Sequence, residues 1–343
     1  MASTFVPRQV FNVSENIPRS YFLGHHRAGL MRMRSMLDSV DHVIECRDFR
    51  IPFTSVNPLF EHVLGDKRRT IIYTKRDLAG DRKLAMQKIE SQVVRWDQRT
   101  SKVFVLSNFS KATLQPFIKY LRCLPMPKDN VTGYRMLIVG MPNVGKSSFV
   151  NYLRGAYMGQ KALPKVAITG GEPGVTRKVG SPIKILDRNQ CGIYVYDTPG
   201  VFVPYVADAE SMVKFATCGI IKDSLISEIT IADYLLYHIN KNKRYAYRKY
   251  CEPTNDIMEL LNAFALKSGC IAKGGLPDIH MAARKFRHMW YQGKFKYFVM
   301  DDVLSITTVK RRELQATYMG MFDDEKAVNE EERPTSTMSV LSN

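Results

Sequence analysis

Residues 140–148 read Gly-Met-Pro-Asn-Val-Gly-Lys-Ser-Ser, which satisfies the spacing G-x-x-x-x-G-K-[ST]. Glycines at 140 and 145 let backbone N–H groups curl around phosphate oxygens, and a helix starting there adds its partial positive charge. In such a loop Lys146 reaches the β- and γ-phosphates and the Ser147 hydroxyl ligates Mg²⁺, with Asn143, Val144, Gly145 and Ser148 completing the cradle. The pattern arises by chance on the order of once per hundred such chains. Asp197-Thr198-Pro199-Gly200 offers an acid that can hold Mg²⁺ through water and a glycine N–H that can meet a γ-phosphate. In Thr74-Lys75-Arg76-Asp77, Asp77 can accept from both N1–H and N2–H of guanine, which adenine cannot supply. Thr74, Lys75 and Asp77 are therefore expected at the base. Ser107 and Asn108 follow the next apolar run, where a second base-contacting loop would fall.

These groups act together only if a scaffold brings them to one edge. Short β-branched runs occupy 40–46, 70–73, 103–106, 135–139 and 193–196, with helix-like stretches at 82–96, 113–121 and 149–153. Strands alternating with helices predict an α/β domain around a mostly parallel sheet. A Pro-Met-Pro-Lys-Asp-Asn stretch at 125–130 reads as a linker. The base-reading motif starts 66 residues before Gly140, the reverse of the usual Ras-like order. A parallel sheet tolerates this permutation, because moving the termini leaves the loops at the same edge. After about residue 205 the pattern turns helical, at 207–221, 230–240, 255–267 and 277–292. The expected division is an N-terminal segment at 1–20, a permuted nucleotide-binding domain at 21–206, a small, mainly helical domain at 207–321, and a disordered acidic tail at 322–343.

The chain has 343 residues, and its 50 Lys and Arg against 33 Asp and Glu give a formal charge of +17. The tail from Asp323 onward carries −4, so the remainder carries +21. A surface this basic matches polyphosphate: RNA, DNA or anionic lipid. Hydrophobic residues at 45% and charged residues at 24% exclude wholesale disorder. Six scattered cysteines form no CxxC, which argues against a disulfide framework and for a reducing compartment. No apolar run approaches the ~18 residues of a membrane span. The first 23 residues, with Arg8, Arg19 and a single acid, Glu15, read as a weak targeting segment.

Taken together, the chain resembles the circularly permuted GTPases that assist ribosome assembly, and in particular their mitochondrial members. The matching segments are Gly24-His25, Val43-Ile44-Glu45 with Asp48, Arg50-Ile51-Pro52, Asn57-Pro58, the motifs at 74–77 and 140–148, Pro173-Gly174-Val175-Thr176, Asp197-Thr198-Pro199-Gly200, and Ala232-Asp233-Tyr234-Leu235-Leu236-Tyr237. The resemblance covers roughly residues 21 to 300. It implies a monomeric enzyme that hydrolyses GTP in the mitochondrial matrix, peripheral to the inner membrane, and serves maturation of the large ribosomal subunit and its rRNA. It further implies that Thr176 completes Mg²⁺ coordination beside Ser147 and Asp197, that Asn143 coordinates K⁺, and that His25 helps orient water.

Two positions depart from the family. Thr74 replaces the usual Asn, and a hydroxyl substitutes only partly for its contact to the base edge. Val201 follows the DTPG motif where Ras-like enzymes place a water-orienting Gln, and valine cannot position a nucleophile. The alternative reading is therefore a GTP-gated RNA-binding scaffold with negligible hydrolysis. For RNA, residues 241–250 offer Lys241, Lys243, Arg244, Arg248 and Lys249 among Tyr245, Tyr247 and Tyr250, and 284–298 offer Arg284, Lys285 and Arg287 among further aromatics. Bases neutralise phosphates and aromatic faces stack on unpaired bases. The competing reading is an amphipathic helix with its aromatics in the core. Anionic inner-membrane lipid is a second target for the same patches.

Overall fold

The computed structural model describes residues 5–14, 16–21, 24–98, 100–107, 110–125, 133–158, 180–188, 191–206, 208–307, 309 and 313. Asn108, Thr176, most of the linker and the acidic tail lie outside them.

Six strands form one sheet: β1 (His42–Asp48), β2 (Arg69–Thr74), β3 (Lys102–Val105), β4 (Tyr134–Gly140), β5 (Ile183–Arg188) and β6 (Cys191–Asp197). Their order is β3-β2-β1-β4-β6-β5. All pairings are parallel except β5 with β6. Helices α1 (Gly24–Met36), α2 (Leu59–Leu64), α3 (Lys83–Asp97), α4 (Lys111–Cys123) and α5 (Lys146–Met158) accompany the sheet, and α6 (Ala209–Cys218), α7 (Glu228–Lys241), α8 (Ile257–Ser268) and α9 (Ile279–Tyr291) follow it. The expected α/β class with a helical C-terminal region is what the chain adopts.

Local chemistry sets the boundaries. Central β1 is buried along its whole length although it reads His-Val-Ile-Glu-Cys-Arg-Asp. Its polar groups are paired, Arg47 with Glu45 at 2.6 Å and with Asp97 at 2.9 Å, as burial of charge requires. The later helices open on capping side chains: Asp208 accepts from Ser211 N at 2.7 Å, Asp256 from Met258 N at 2.7 Å, and Asp278 from Met281 N at 2.8 Å. Three elements, α1, the short α2 and the antiparallel edge strand β5, have no counterpart among the sequence expectations.

One buried apolar cluster runs from Ile44, Ile138 and Val195 of the sheet through Phe202 and Phe215 to Leu235, Phe286 and Trp290. The stretch read as a targeting segment contributes to it: Phe11 packs edge-on against Tyr234 at 4.9 Å, Arg8 pairs with Asp233, and Tyr237 donates to Gln9 O at 3.1 Å. The C-terminal part returns to the sheet. There Asp301 accepts from the backbone of Phe53 and Thr54 at 2.8 and 2.9 Å, and Trp96 donates to Ile306 O at 3.1 Å.

Candidate GTP site

Parallel pairing of β2, β1, β4 and β6 puts their C-terminal ends on one edge, and the loops carrying the sequence motifs leave from there. Residues 74–77 follow β2, 140–146 link β4 to α5, and 197–200 follow β6. Close packing joins them. A Cβ on Gly200 would lie 2.4 Å from Pro142 Cα, so only glycine lets this loop approach the phosphate loop so closely. Gly145 sits at φ 96°, a backbone that other residues avoid.

Lys146, Ser147 and Asp197 lie together at this edge. Lys146 is buried, with its ammonium donating to Gly140 O at 3.2 Å and Met141 O at 2.8 Å. Burial pulls its pKa down to about 8, partly offset by Asp197. Ser147, in the first turn of α5, donates to Asp197 Oδ2 at 2.7 Å. Asp197 Oδ1 is buried and accepts no hydrogen bond among the described residues, and burial raises this carboxyl's pKa. A carboxylate so placed, beside a hydroxyl at a helix N-terminus, fits Mg²⁺. Val144 is buried and Ser148 is exposed at the first turn of α5. Asn143, at φ 52°, donates from Nδ2 to Gly219 O at 2.7 Å, which links the phosphate loop to the end of α6.

On the base-reading side Asp77 is exposed. Lys75 adopts the left-handed backbone at φ 60° and donates to Asp48 at 2.9 Å and to Asn143 O. Burial lowers its pKa. The Thr74 hydroxyl donates to Val144 O of the phosphate loop, with Arg47 O 3.2 Å away. It therefore ties the two loops together and does not reach for a base edge. Arg76 N donates to Leu106 O at 3.2 Å, which brings Ser107 alongside.

Asp48 and Arg50 matched the family pattern without an assigned role, and the structure supplies one. Asp48 is fully buried and takes Arg50 Nη2 at 2.7 Å as well as Lys75. These cations hold its carboxyl far below the usual range despite burial. Arg50 also donates to Cys218 O at 3.0 Å and lies over Trp290.

Val201, in the position of a catalytic Gln, is fully buried among Met33, Leu137 and Val139. Its N–H donates to Gly140 O at 3.2 Å and its carbonyl accepts from Asn57 at 2.9 Å. It fixes the loop and has no route to a water. His25 is exposed on α1. Its neighbour His26 is the histidine that touches this loop: buried, with Nδ1 at 3.1 Å from Gly200 O, and pushed down to about 4 by burial. The signal for α1 is the spacing of His26, Gly29 and Met33, its buried residues.

The basic segments divide. Lys241, Lys243, Arg248 and Lys249 are exposed, as are Arg284 and Lys285, while Arg244 is half-buried. Arg287, expected to face RNA, is instead buried. It donates to Asp223 at 2.8 Å, Ala216 O at 3.0 Å and Tyr291 at 2.9 Å, and pairs with Glu228 at 3.3 Å. Several of the aromatics expected to stack on bases, Tyr247, Phe286, Trp290 and Phe295, lie in the core. The exposed bases can meet phosphates. Those rings cannot meet nucleobases.

A sequence model of the family described as "50S ribosome-binding GTPase" matches residues 135–265. The chain is 31% identical over 315 residues to a protein of Schizosaccharomyces pombe named mitochondrial GTPase 1, covering 87% of this chain and 94% of that one. It is 33% identical to mouse mitochondrial ribosome-associated GTPase 1, over 86% of this chain and 93% of the relative. Among solved structures, GDP-bound YlqF of T. maritima superposes with a TM-score of 0.50 at 22% identity, over 79% of this chain and 98% of that one. This last likeness concerns the fold.

Proposed function

Because this chain belongs to the family of circularly permuted GTPases that includes the mitochondrial GTPase 1 proteins, we propose that it is a mitochondrial GTPase that binds the maturing large ribosomal subunit in its GTP form and leaves on hydrolysis. The supporting observation is convergence: a base-reading loop from early in the chain and a phosphate loop from later in it meet on one sheet edge, joined by Thr74 to Val144 and Lys75 to Asn143.

Ser147 and Asp197, with Thr176, would hold Mg²⁺, which offsets the negative charge of the phosphates. Lys146 would exchange its two carbonyl partners for phosphate oxygens. The Gly200 N–H would meet the γ-phosphate, in a loop held from behind by His26 and Asn57. With Val201 locked in the core, that side chain cannot orient water, and K⁺ held by Asn143 is the proposed source of catalytic positive charge near the phosphates. Fixed positive charge there accelerates phosphoryl transfer by ~10³–10⁵ in other systems. The exposed bases of 241–250 and 284–285 are the proposed rRNA contacts, with anionic inner-membrane lipid as a second surface for a peripherally bound protein. No helix among the described residues is long and apolar enough to cross a membrane.

The test is GTP turnover in K⁺ and in Na⁺, each with and without purified mitochondrial large subunits. Strong stimulation by subunits, greater in K⁺, is the expected result. Tight GTP binding with no turnover in any condition would overturn the enzyme reading in favour of the GTP-gated scaffold.

A further inference from the structure

The loop that carries Asp77 continues into residues that touch the basic segment of the helical region. Arg244 Nη2 pairs with Asp81 at 2.6 Å. Arg82 Nη2 lies 3.5 Å from Asn242 O, and a Cβ on Gly80 would sit 3.4 Å from Tyr297 O. The far end of the base-reading loop is therefore braced by residues 242–244 and 297, 160 residues and more away in the chain.

At this junction lies an open depression of about 550 Å³ lined by Asp81, Arg82, Arg244, Ala246 and Lys296. One carboxylate faces three cations there. Arg244 Nε is buried and has no hydrogen-bond partner among the described residues, so the guanidinium has donor capacity that Asp81 does not use. The side chain of Asp81 is 59% exposed, and a contact of this kind is weak and readily exchanged. The lining offers no large apolar side chain to enter a bilayer, and its three cations suit a phosphodiester held by forked donors.

We propose that this depression seats a backbone phosphate of RNA, and that the phosphate takes Arg244 from Asp81, loosens the loop bearing Asp77 and speeds release of the guanine nucleotide. The inference rests on the GTPase reading above and adds to it a route by which RNA reports to the nucleotide. The two ends are coupled reciprocally: a bound nucleotide lowers RNA affinity at this depression as RNA lowers nucleotide affinity, equally for GTP and GDP since the loop reads the base they share.

The experiment uses the full chain loaded with a fluorescent N-methylanthraniloyl-GDP and chased with unlabelled GDP. Release is followed alone, with a short mixed-sequence RNA hairpin, and with phosphatidylserine vesicles. RNA should raise the release rate about fivefold or more, within the usual range of coupling between sites. Asp81→Asn should release rapidly without RNA and gain little from it, since the brace is already open. Lys296→Asn, which keeps a residue tolerant of the φ 64° backbone, should respond less to RNA. RNA that binds without changing release, an Asp81→Asn protein indistinguishable from the parent, or acceleration by vesicles and not by RNA would each overturn the inference. Failure to take up the labelled GDP at all would overturn the GTPase reading with it. Uptake with release indifferent to RNA would overturn the inference alone.

Discussion

Residues 241–250 and 284–298 each interleave five bases with aromatic rings, and the fold uses the two stretches in different ways. In the first, four bases project to solvent while Tyr247 fills the core, and Arg244 reaches back to Asp81. In the second, the helical repeat of α9 decides each residue's fate. Ala283, Phe286 and Trp290 mark its buried face, and position 287, four after 283 and three before 290, falls on that face too. Arg287 is therefore drawn inside, where Asp223, Glu228, Tyr291 and the Ala216 carbonyl satisfy it. Arg284 and Lys285 fall outside it and stay in water. Composition alone cannot separate an RNA-facing base from one that locks helices together. Periodicity can.

The largest expected effect tests that separation. Arg287→Ala should lower unfolding stability by about 3 kcal/mol, because it strands the buried Ala216 carbonyl and the acids that faced the guanidinium. Denaturant midpoints would report it. A loss under about 0.5 kcal/mol, the level of an ordinary surface substitution, would mean that Arg287 is no more than a surface base.

The same spacing argument explains what else the sequence revealed and concealed. The phosphate loop, the 197–200 turn and the 74–77 turn were legible because each needs particular residues for backbone reasons, as Gly145 at φ 96° and Gly200 against Pro142 illustrate. Parallel strands were legible as apolar runs, and their observed ends differ by one or two residues. Edge strand β5, Ile-Lys-Ile-Leu-Asp-Arg, alternates too briefly to stand out. Helix α1 has no acid in its first turn and only a narrow apolar stripe. The roles of Asp48, Arg50 and Thr74 were not legible, since they depend on which loops meet, and local pattern does not carry that. Thr74 reads as a weakened base contact in sequence. In the fold it is a strut between loops.

Buried bases also differ by what accompanies them, and pH sharpens this contrast at the next magnitude. Arg287 is buried against Tyr291 and Asp223, which raise its pKa despite the burial. Lys146 is buried mainly on carbonyls, and its pKa falls to about 8. Nucleotide phosphates would restore the lysine's charge, so binding takes up a proton above that pH and affinity must fall as pH rises. Between pH 7 and about 9, Kd for GTP should rise by about tenfold, or ~1.4 kcal/mol. Lys146→Met should bind weakly and lack most of this dependence. A parent protein with flat affinity over the same range would show that Lys146 stays charged in the empty site, and the contrast between the two buried bases would collapse.

The smallest effect lies on the solvent side of α9. Arg284 and Lys285 are exposed, and Lys285 donates to Ser268 O at 2.6 Å, a contact that water replaces at little cost. Changing both to Gln should leave stability within about 0.5 kcal/mol. If they neutralise phosphates, each should remove about one unit from the slope of log affinity for RNA against log salt. The double variant would then lose most at low salt and little at high salt, because released counterions carry the difference. Arg287→Ala should do the reverse, leaving the slope intact wherever the protein remains folded. If Arg287→Ala removed a unit of slope and the Arg284/Lys285 pair removed none, the assignment of inner and outer faces to α9 would have to be exchanged, and with it the argument that periodicity selects which bases meet RNA.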